Sequence, residues 1–302
     1  MIEFDQALVT GGAGFIGSHL ANRLVPDLEV TVYDDFSSGK SDHIPEEASI
    51  IHADIRDAAQ LASAVAEVDV VFHEAAQVSV QRSVSDPKSS HQVNVDPMVT
   101  ILEAARGTDT RVVLASSAAI YGHPVYLPID EDHRKEPTSP YGLEKLTADH
   151  YCRLYHELYD VDAVALRYFN AYGPRQQSGD YSGVISVFRD QARAGEDITV
   201  EGDGEQTRDF VHVDDIVQAN VLAATSDDAV GEAFNIGTGD SITIRKLAET
   251  IRDVTDSESA IVHVEPREGD IDRSEATIDK ARDMLGFQPE YTTTEGLREY
   301  LG

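Results

Sequence analysis

The stretch Gly11-Gly12-Ala13-Gly14-Phe15-Ile16-Gly17 decides the fold of this chain. It follows an apolar run at Gln6–Thr10, which predicts a strand, and it opens an amphipathic stretch at Phe15–Leu24, which predicts a helix. Glycines at three-residue spacing let the backbone turn sharply and approach a ligand without a Cβ in the way. The helix that follows offers free N–H groups to phosphates at its N-terminus. The sequence therefore predicts a dinucleotide-binding strand–turn–helix unit.

Beyond this turn, short apolar runs alternate with amphipathic stretches. The predicted strands are Glu29–Tyr33, Ser49–His52, Val68–His73, Arg111–Ala115 and Asp162–Tyr168, and the predicted long helices are Asp86–Arg106 and Tyr141–Tyr159. Strands that alternate with helices pair in parallel, so the chain is predicted to be an α/β protein with a Rossmann-type doubly wound parallel sheet.

After about residue 170 the rhythm changes, and shorter helices are predicted at 184–194, 214–225 and 243–254. We therefore expect a dinucleotide-binding Rossmann domain at residues 1–170. Residues 171–302 are expected to form a smaller C-terminal, mainly substrate-binding region, some segments of which rejoin the sheet.

The charge balance is strongly acidic, with 55 Asp and Glu against 24 Lys and Arg and a formal net charge of −31. Such a surface suits either a basic partner or concentrated salt, where screening suppresses self-repulsion. The acids are spread along the whole chain, which favours a halophilic adaptation. Nucleic acid is disfavoured as a partner because its phosphates would be repelled.

The sequence also predicts a cytoplasmic location. No run approaches the roughly 18 apolar residues of a membrane span. The acidic start Met1–Gln6 differs from the basic start of a signal peptide. A single cysteine, Cys152, excludes an internal disulfide and agrees with a reducing compartment.

An acidic pair, Asp34-Asp35, ends the second predicted strand. An acid about 20 residues after the glycine turn accepts hydrogen bonds from the adenosine ribose and repels a 2′-phosphate. Asp34 therefore predicts NAD rather than NADP as cofactor. Asp54-Ile55, after the third strand, is placed to meet the adenine edge, although such a pair is also typical of a helix cap.

Three residues suggest proton transfer. Tyr141 and Lys145 lie four residues apart and share one face of a predicted helix. A nearby ammonium and a positive nicotinamide ring should ease ionisation of the phenol, which makes it a usable general base. Ser117 follows a parallel strand, where ligand contacts are expected, and its hydroxyl can relay the proton.

Together, the glycine turn, Asp34, Ser117, Tyr141 and Lys145 resemble the extended short-chain dehydrogenases/reductases of the NAD-dependent epimerase/dehydratase family, and within it most of all the UDP-glucose 4-epimerases. The resemblance covers essentially the whole chain. Further matching stretches are His73-Glu74-Ala75-Ala76, Arg167-Tyr168-Phe169-Asn170, Tyr172-Gly173-Pro174-Arg175, Arg208-Asp209-Phe210-Val211-His212-Val213-Asp214-Asp215, Asn235-Ile236-Gly237 and Arg267-Glu268-Gly269-Asp270. Glu74 departs from the apolar residue usual in the family.

The resemblance implies roles for individual residues. Tyr141 is the base for the sugar 4-hydroxyl, Lys145 also holds the nicotinamide ribose, and Ser117 relays the proton. The implied cofactor-binding residues are Gly11, Gly14, Phe15, Ile16, Gly17, Asp34, Asp35, Ser38, Gly39, Asp54, Ile55, Ala75, Ala76, Gln77, Asn94, Ser116, Tyr141, Lys145 and Tyr168. The implied substrate-binding residues are Ser79, Ser117, Tyr141, Asn170, Arg208, Arg267, Asp270 and Ser274. No metal site is predicted.

The resemblance further implies an NAD-dependent 4-epimerase that acts on UDP-linked hexoses through a 4-keto sugar. Ala118-Ala119 stand where the 4,6-dehydratases carry an Asp-Glu pair, which disfavours dehydration and also UDP-glucuronate decarboxylation. UDP-glucuronate epimerisation stays open. A non-catalytic NAD-binding sensor is a further alternative, but such relatives tend to lose the tyrosine or the lysine. A homodimer formed by the helices at 86–106 and 141–159 is also implied.

Ser274 falls where related epimerases place a residue that closes the pocket around the C2 substituent of the sugar. A small side chain there admits an N-acetyl group, so N-acetylhexosamine nucleotides are expected substrates as well. The alternative is that Ser274 lies in a loop and another side chain fills the gap.

Overall fold

The computed structural model describes residues 4–176, 183–266 and 269–302. Within these ranges the strands are β1 (Gln6–Thr10), β2 (Glu29–Asp34), β3 (Ser49–His52), β4 (Val70–His73), β5 (Arg111–Ser117), β6 (Ala163–Tyr168), β7 (Asn170–Tyr172), β8 (Ile198–Glu201), β9 (Thr207–Arg208), β10 (Phe210–His212), β11 (Ala233–Ile236), β12 (Ile242–Thr243) and β13 (Ile261–Val264). The helices are α1 (Phe15–Leu24), α2 (Ala58–Val65), α3 (Val80–Ser85), α4 (Pro87–Asn94), α5 (Asp96–Ala105), α6 (Pro140–Tyr159), α7 (Val184–Ala194), α8 (Val213–Thr225), α9 (Ile244–Val254), α10 (Asp279–Leu285) and α11 (Thr293–Leu301).

A parallel sheet of seven strands, in the order β11-β6-β5-β4-β1-β2-β3, organises the described residues. Strands buried on both faces must be almost continuously apolar, and β6 is buried at every position. The strand order reverses between β1 and β4, so a crevice opens at their carboxyl ends, where ligands bind in open α/β sheets. The predicted fold class is confirmed.

The stretch predicted as one helix over Asp86–Arg106 is two helices, α4 and α5. Val95 between them has φ −119° and ψ −53°. Pro97 has no N–H to donate to the preceding turn, and its ring clashes with that turn's carbonyl. The prediction of a single helix is therefore wrong at this proline.

The later part of the chain builds a second apolar cluster and also returns to the main sheet. The cluster gathers side chains from α7, α9 and α11, such as Phe188, Leu247 and Leu297. Strand β11 pairs with β6 in parallel, and helix α8 packs against α1. No helix among the described residues is long and apolar enough to cross a membrane.

Candidate cofactor and substrate site

A cleft of about 490 Å³ runs along the carboxyl ends of the sheet strands. It is lined by the predicted cofactor residues Gly11, Gly14, Phe15, Ile16, Gly17, Asp34, Asp35, Ser38, Asp54, Ile55, Ala75, Ala76, Gln77, Ser116, Tyr141, Lys145 and Tyr168. Its volume falls in the range of small-molecule sites. Sequence positions as far apart as Gly11 and Tyr168 are thus brought together because parallel strands end at one edge.

The glycine turn shapes one wall of the cleft. Gly11 has φ +68°, and a Cβ added there would lie 2.8 Å from the backbone N of Ala75. A Cβ on Gly17 would lie 2.3 Å from the Gly11 carbonyl oxygen. Gly14 caps α1 without a side chain, which leaves the first N–H groups of the helix to a ligand phosphate. These residues fit the pyrophosphate of a dinucleotide.

Asp34 holds the glycine turn against the end of β2. Its Oδ2 accepts from the backbone N of Ala13 at 2.9 Å, and its Oδ1 accepts from that of Phe36 at 2.8 Å. Burial raises the pKa of this carboxyl, although both hydrogen bonds oppose the rise. Its position in the cleft lining suits a ribose diol. Asp54, by contrast, accepts hydrogen bonds from the Arg56 guanidinium with both carboxylate oxygens.

Ser117, Tyr141 and Lys145 meet at the far end of the cleft. Ser117 ends β5, and Ser139 begins α6 by accepting from the backbone N of Gly142. The Ser117 hydroxyl lies close enough to the Tyr141 phenol to lower the pKa of that phenol. The Lys145 ammonium donates to the Ala115 carbonyl at 2.7 Å. A hydroxyl pair beside a buried ammonium can accept and pass on a proton.

The groups of this chain alone shift the pKa of Tyr141 upward; the predicted easier ionisation of the phenol also counts the positive nicotinamide ring and stays a prediction. Burial raises the pKa of Tyr141, and Glu144 raises it further, whereas only the Ser117 hydroxyl lowers it. Burial also lowers the pKa of Lys145 to about 8. Sequence spacing showed the proximity of the two side chains but not how deeply each is buried.

Glu74 is a cleft residue that sequence reasoning did not assign to the site. Its Oε1 accepts from the Tyr168 hydroxyl at 2.9 Å, and that hydroxyl accepts from the Asn220 amide at 2.7 Å. Burial raises the pKa of Glu74 to about 7. The signal was present in the sequence, as an acid in an otherwise apolar position after a central strand.

Among the predicted residues before position 170, three do not line the cleft: Ser79, Gly39 and Asn94. The Asn94 amide is bonded to both backbone atoms of Gln77 and to Glu144, so it braces the wall from behind. The Ser79 hydroxyl caps α3. Gly39 packs on Ala13 beside the glycine turn.

The predicted substrate residues of the C-terminal region gather at a second place. Arg208 and Asp270 form an ion pair at 2.6 Å. The Ser274 backbone N donates to the Thr207 carbonyl, and the Ser274 side chain is buried. Asn170 donates through its amide to the Asp209 carbonyl at 2.8 Å. Arg267 lies outside the described residues.

Asp209 ties this second place together. Its carboxylate accepts from the backbone N atoms of Thr238, Gly239 and Ala276 and from the Thr238 hydroxyl. Burial raises the pKa of this carboxyl to about 6 against those four hydrogen bonds. The loops that carry Arg208 and Ser274 are therefore fixed to each other by one buried acid.

Comparison with known proteins agrees with this geometry. Residues 7–237 match the NAD dependent epimerase/dehydratase family. A UDP-glucose 4-epimerase of Mycolicibacterium smegmatis is 39% identical over 97% of this chain and 96% of its own. The solved UDP-N-acetylglucosamine 4-epimerase of Methanobrevibacter ruminantium M1 is 39% identical with a TM-score of 0.94, covering 100% of this chain and 98% of its own.

A third relative shows how far the family varies. The solved UDP-glucuronic acid 4-epimerase of Bacillus cereus, in complex with UDP-glucuronic acid and NAD, is 28% identical with a TM-score of 0.88. The match covers 98% of this chain and 97% of that one. With the glycine cradle, Asp34 and the Ser117–Tyr141 pair in one cleft, the chain belongs to the NAD-dependent epimerase/dehydratase family and is an NAD-dependent enzyme.

Proposed function

We propose that this protein is a 4-epimerase of UDP-linked hexoses that works through a 4-keto sugar. The observation that carries the proposal is that Ser117 and Tyr141 both line one end of the dinucleotide cleft, together with the buried Lys145 ammonium. The relatives supply the reaction class, since the three reported above are named as 4-epimerases of different UDP-sugars.

In this mechanism Tyr141 accepts the proton of the sugar 4-hydroxyl, with Ser117 as the relay between the sugar and the phenol. NAD bound in the cleft would supply the hydride acceptor for carbon 4 and, once the 4-keto sugar has turned over, the hydride donor for its other face. Lys145 keeps a positive charge beside the phenol and holds the ribose. The return of the Tyr141 proton completes the inverted alcohol, so every proton is conserved over the cycle.

The residues after Ser117 favour epimerisation over dehydration. Dehydration across carbons 5 and 6 needs an acid and a base close to the catalytic hydroxyls. Here Ala118 and Ala119 form a short 3-10 turn capped by the Ser117 side chain. Methyl side chains cannot transfer protons, so this segment offers no pair for the extra step.

We assign the C-terminal set to the nucleotide end of the substrate. Arg208 is shaped for bidentate contact with a diphosphate, and Asp270 would accept from ribose hydroxyls. The two side chains form an ion pair and so lie next to each other. When UDP binds, its diphosphate would replace Asp270 as the partner of Arg208, and its ribose hydroxyls would replace Arg208 as the partner of Asp270. Residues 171–302 are on this proposal the main substrate-binding region.

We also propose that the protein acts as a homodimer through the helices at 86–106 and 141–159, which are α4, α5 and α6. Leu143, Leu154 and Leu158 on α6 are 56%, 42% and 57% exposed. Leucines at this spacing make an apolar stripe that a second copy would cover. Sedimentation equilibrium would show a dimer, and Leu158→Lys would shift it to monomer; a monomeric wild type contradicts this assignment.

The direct test is incubation of the purified protein with UDP-galactose and detection of UDP-glucose by a coupled assay. UDP-N-acetylglucosamine and UDP-glucuronic acid are run in parallel to set the substrate class. We expect conversion of UDP-galactose without added reductant or oxidant. Binding of NAD with no turnover of any of the three would instead favour the sensor alternative.

A further inference from the structure

Glu74 sits at the catalytic end of the cleft. It follows His73, the last residue of β4, and lines the same cavity as Tyr141 and Lys145. One oxygen is fixed by the Tyr168 hydroxyl from β6, which is in turn fixed by Asn220 from α8. A carboxylate held by this chain of hydrogen bonds cannot swing out to solvent.

The charges around Lys145 single out Glu74. Two acids favour the ammonium form of Lys145, Glu74 more strongly than Glu144. Glu144 is turned away from the cleft, because its Oε2 accepts from Ser90 and from the Asn94 amide. His73, the residue before Glu74, is neutral because burial lowers the pKa of its imidazole to about 3. Glu74 is thus the acid that faces both Lys145 and the cleft.

The orientation of a dinucleotide follows from the other parts of the cleft. Asp34 suits the adenosine ribose, and the glycine turn suits the pyrophosphate. The remaining end, with Tyr141 and Lys145, then receives the nicotinamide ring, which is positive when oxidised and neutral when reduced. A buried negative charge at this end stabilises a positive ring more than a neutral one.

We propose that Glu74 is a positioning residue whose charge favours the ammonium form of Lys145 and makes the site prefer the oxidised over the reduced dinucleotide. The inference rests on the proposed function, because the orientation of the nicotinamide does. The oxidised ring and the ammonium would otherwise place two positive charges together in a buried space. Glu74 offsets them, so the resting enzyme keeps its cofactor oxidised between sugar turnovers.

The test measures which redox form the protein retains. The purified protein is equilibrated at pH 7.5 with an excess of NAD⁺ and NADH in equal amounts, freed of unbound nucleotide, and its bound nucleotides are quantified. We expect Glu74→Gln to lower the bound NAD⁺/NADH ratio by roughly an order of magnitude, because it removes the charge and keeps the shape. Glu74→Leu, apolar as is usual in the family, should do the same.

Two controls keep the charge effect apart from a packing effect. Glu67→Gln makes the same charge change on an exposed side chain and should leave the ratio unchanged. Tyr168→Phe removes the hydrogen bond that lowers the pKa of Glu74. The Glu74 carboxyl should then be more protonated at pH 7.5, so part of the preference should be lost although the carboxyl group itself is kept. If both Glu74 variants retain NAD⁺ and NADH in the wild-type ratio, the inference about Glu74 is overturned and the proposed function stands. A wild type that retains neither form would contradict the proposed function as well.

Discussion

The cofactor cleft and the C-terminal substrate set hold their charged groups in different ways. In the cleft, Tyr141 and Lys145 rest on a buried frame in which Arg167 pairs with Asp149 at 2.9 Å, with side chains 2% and 0% exposed. In the C-terminal set, Arg208 pairs with Asp270, whose side chains are 11% and 37% exposed. The first pair supports the proposed catalytic residues from behind, whereas the second pair consists of two proposed substrate-binding residues.

This difference indicates which ion pair must open when a ligand binds. A buried ion pair is costly to break, because it leaves an uncompensated charge. A pair with a partly exposed partner, as Asp270 is here, is worth less, and we expect it to exchange partners more readily. We therefore expect the cleft to be preformed and the Arg208–Asp270 pair to open when a nucleotide diphosphate arrives.

The largest expected effect comes from the preformed side. Tyr141→Phe should fold and bind UDP-sugar but lose general-base catalysis by about 10²- to 10⁴-fold in kcat. Tyr151→Phe, the same change on the same helix, serves as the control. Steady-state kinetics with UDP-galactose measures both. Near-normal turnover in the Tyr141 variant would show that the base has been assigned to the wrong residue.

The two regions also differ in how far the sequence predicts them. The cleft follows from patterns, since glycine spacing, strand ends and the Tyr141–Lys145 spacing are local features that a parallel sheet brings together. The direction of the pKa shift of Tyr141 does not follow, because burial depends on the packing of distant segments. The break between α4 and α5 does follow from the sequence, because Pro97 cannot donate a backbone N–H to the preceding turn.

The C-terminal set follows from the sequence only through the resemblance. Arg208 lies 62 residues before Asp270, and Ser274 follows Asp270 in a segment without a helix or strand, so no period links the three. Asp209, which ties their loops together through four hydrogen bonds, carries no pattern of its own. Asp209 belongs to the stretch 208–215 that resembles the family, but only the folded structure shows which groups it binds.

The next largest effect tests the substrate side. Ser274→Tyr should selectively impair UDP-N-acetylglucosamine, because overpacking a formed pocket costs about 1–3 kcal/mol, or roughly 5- to 150-fold in discrimination. Ser274→Ala keeps the site small and should leave both substrates unaffected. Specificity constants for UDP-galactose and UDP-N-acetylglucosamine are compared. Equal loss of both, or a wild type that ignores the N-acetylated sugar, would remove Ser274 as the gate.

A smaller effect concerns the cofactor side. Wild type should bind NAD more tightly than NADP, because the buried Asp34 carboxylate would face the 2′-phosphate. Asp34→Asn should narrow the preference by about tenfold, since one charge repulsion is removed. Asp35→Asn is the matched neighbour, and its exposed carboxylate should matter much less. Calorimetric titration with both nucleotides decides, and equal or tighter NADP binding by wild type would contradict the role of Asp34.

The smallest effect belongs to neither region alone. With a net charge of −31, the folded state repels itself when ions are dilute. The Debye length falls from about 10 Å at 0.1 M to about 3 Å at 1 M salt, so added KCl should raise the melting temperature steadily. For a chain of this size each kcal/mol gained in the free energy of unfolding raises the melting temperature by about 2–4 °C.

The partly exposed Arg208–Asp270 ion pair weakens over the same salt range, but such a pair contributes about 1 kcal/mol at most. Asp270→Asn should therefore melt with nearly the wild-type dependence on salt. A flat or falling curve in wild type would mean that the acidic surface serves a basic partner instead of concentrated salt.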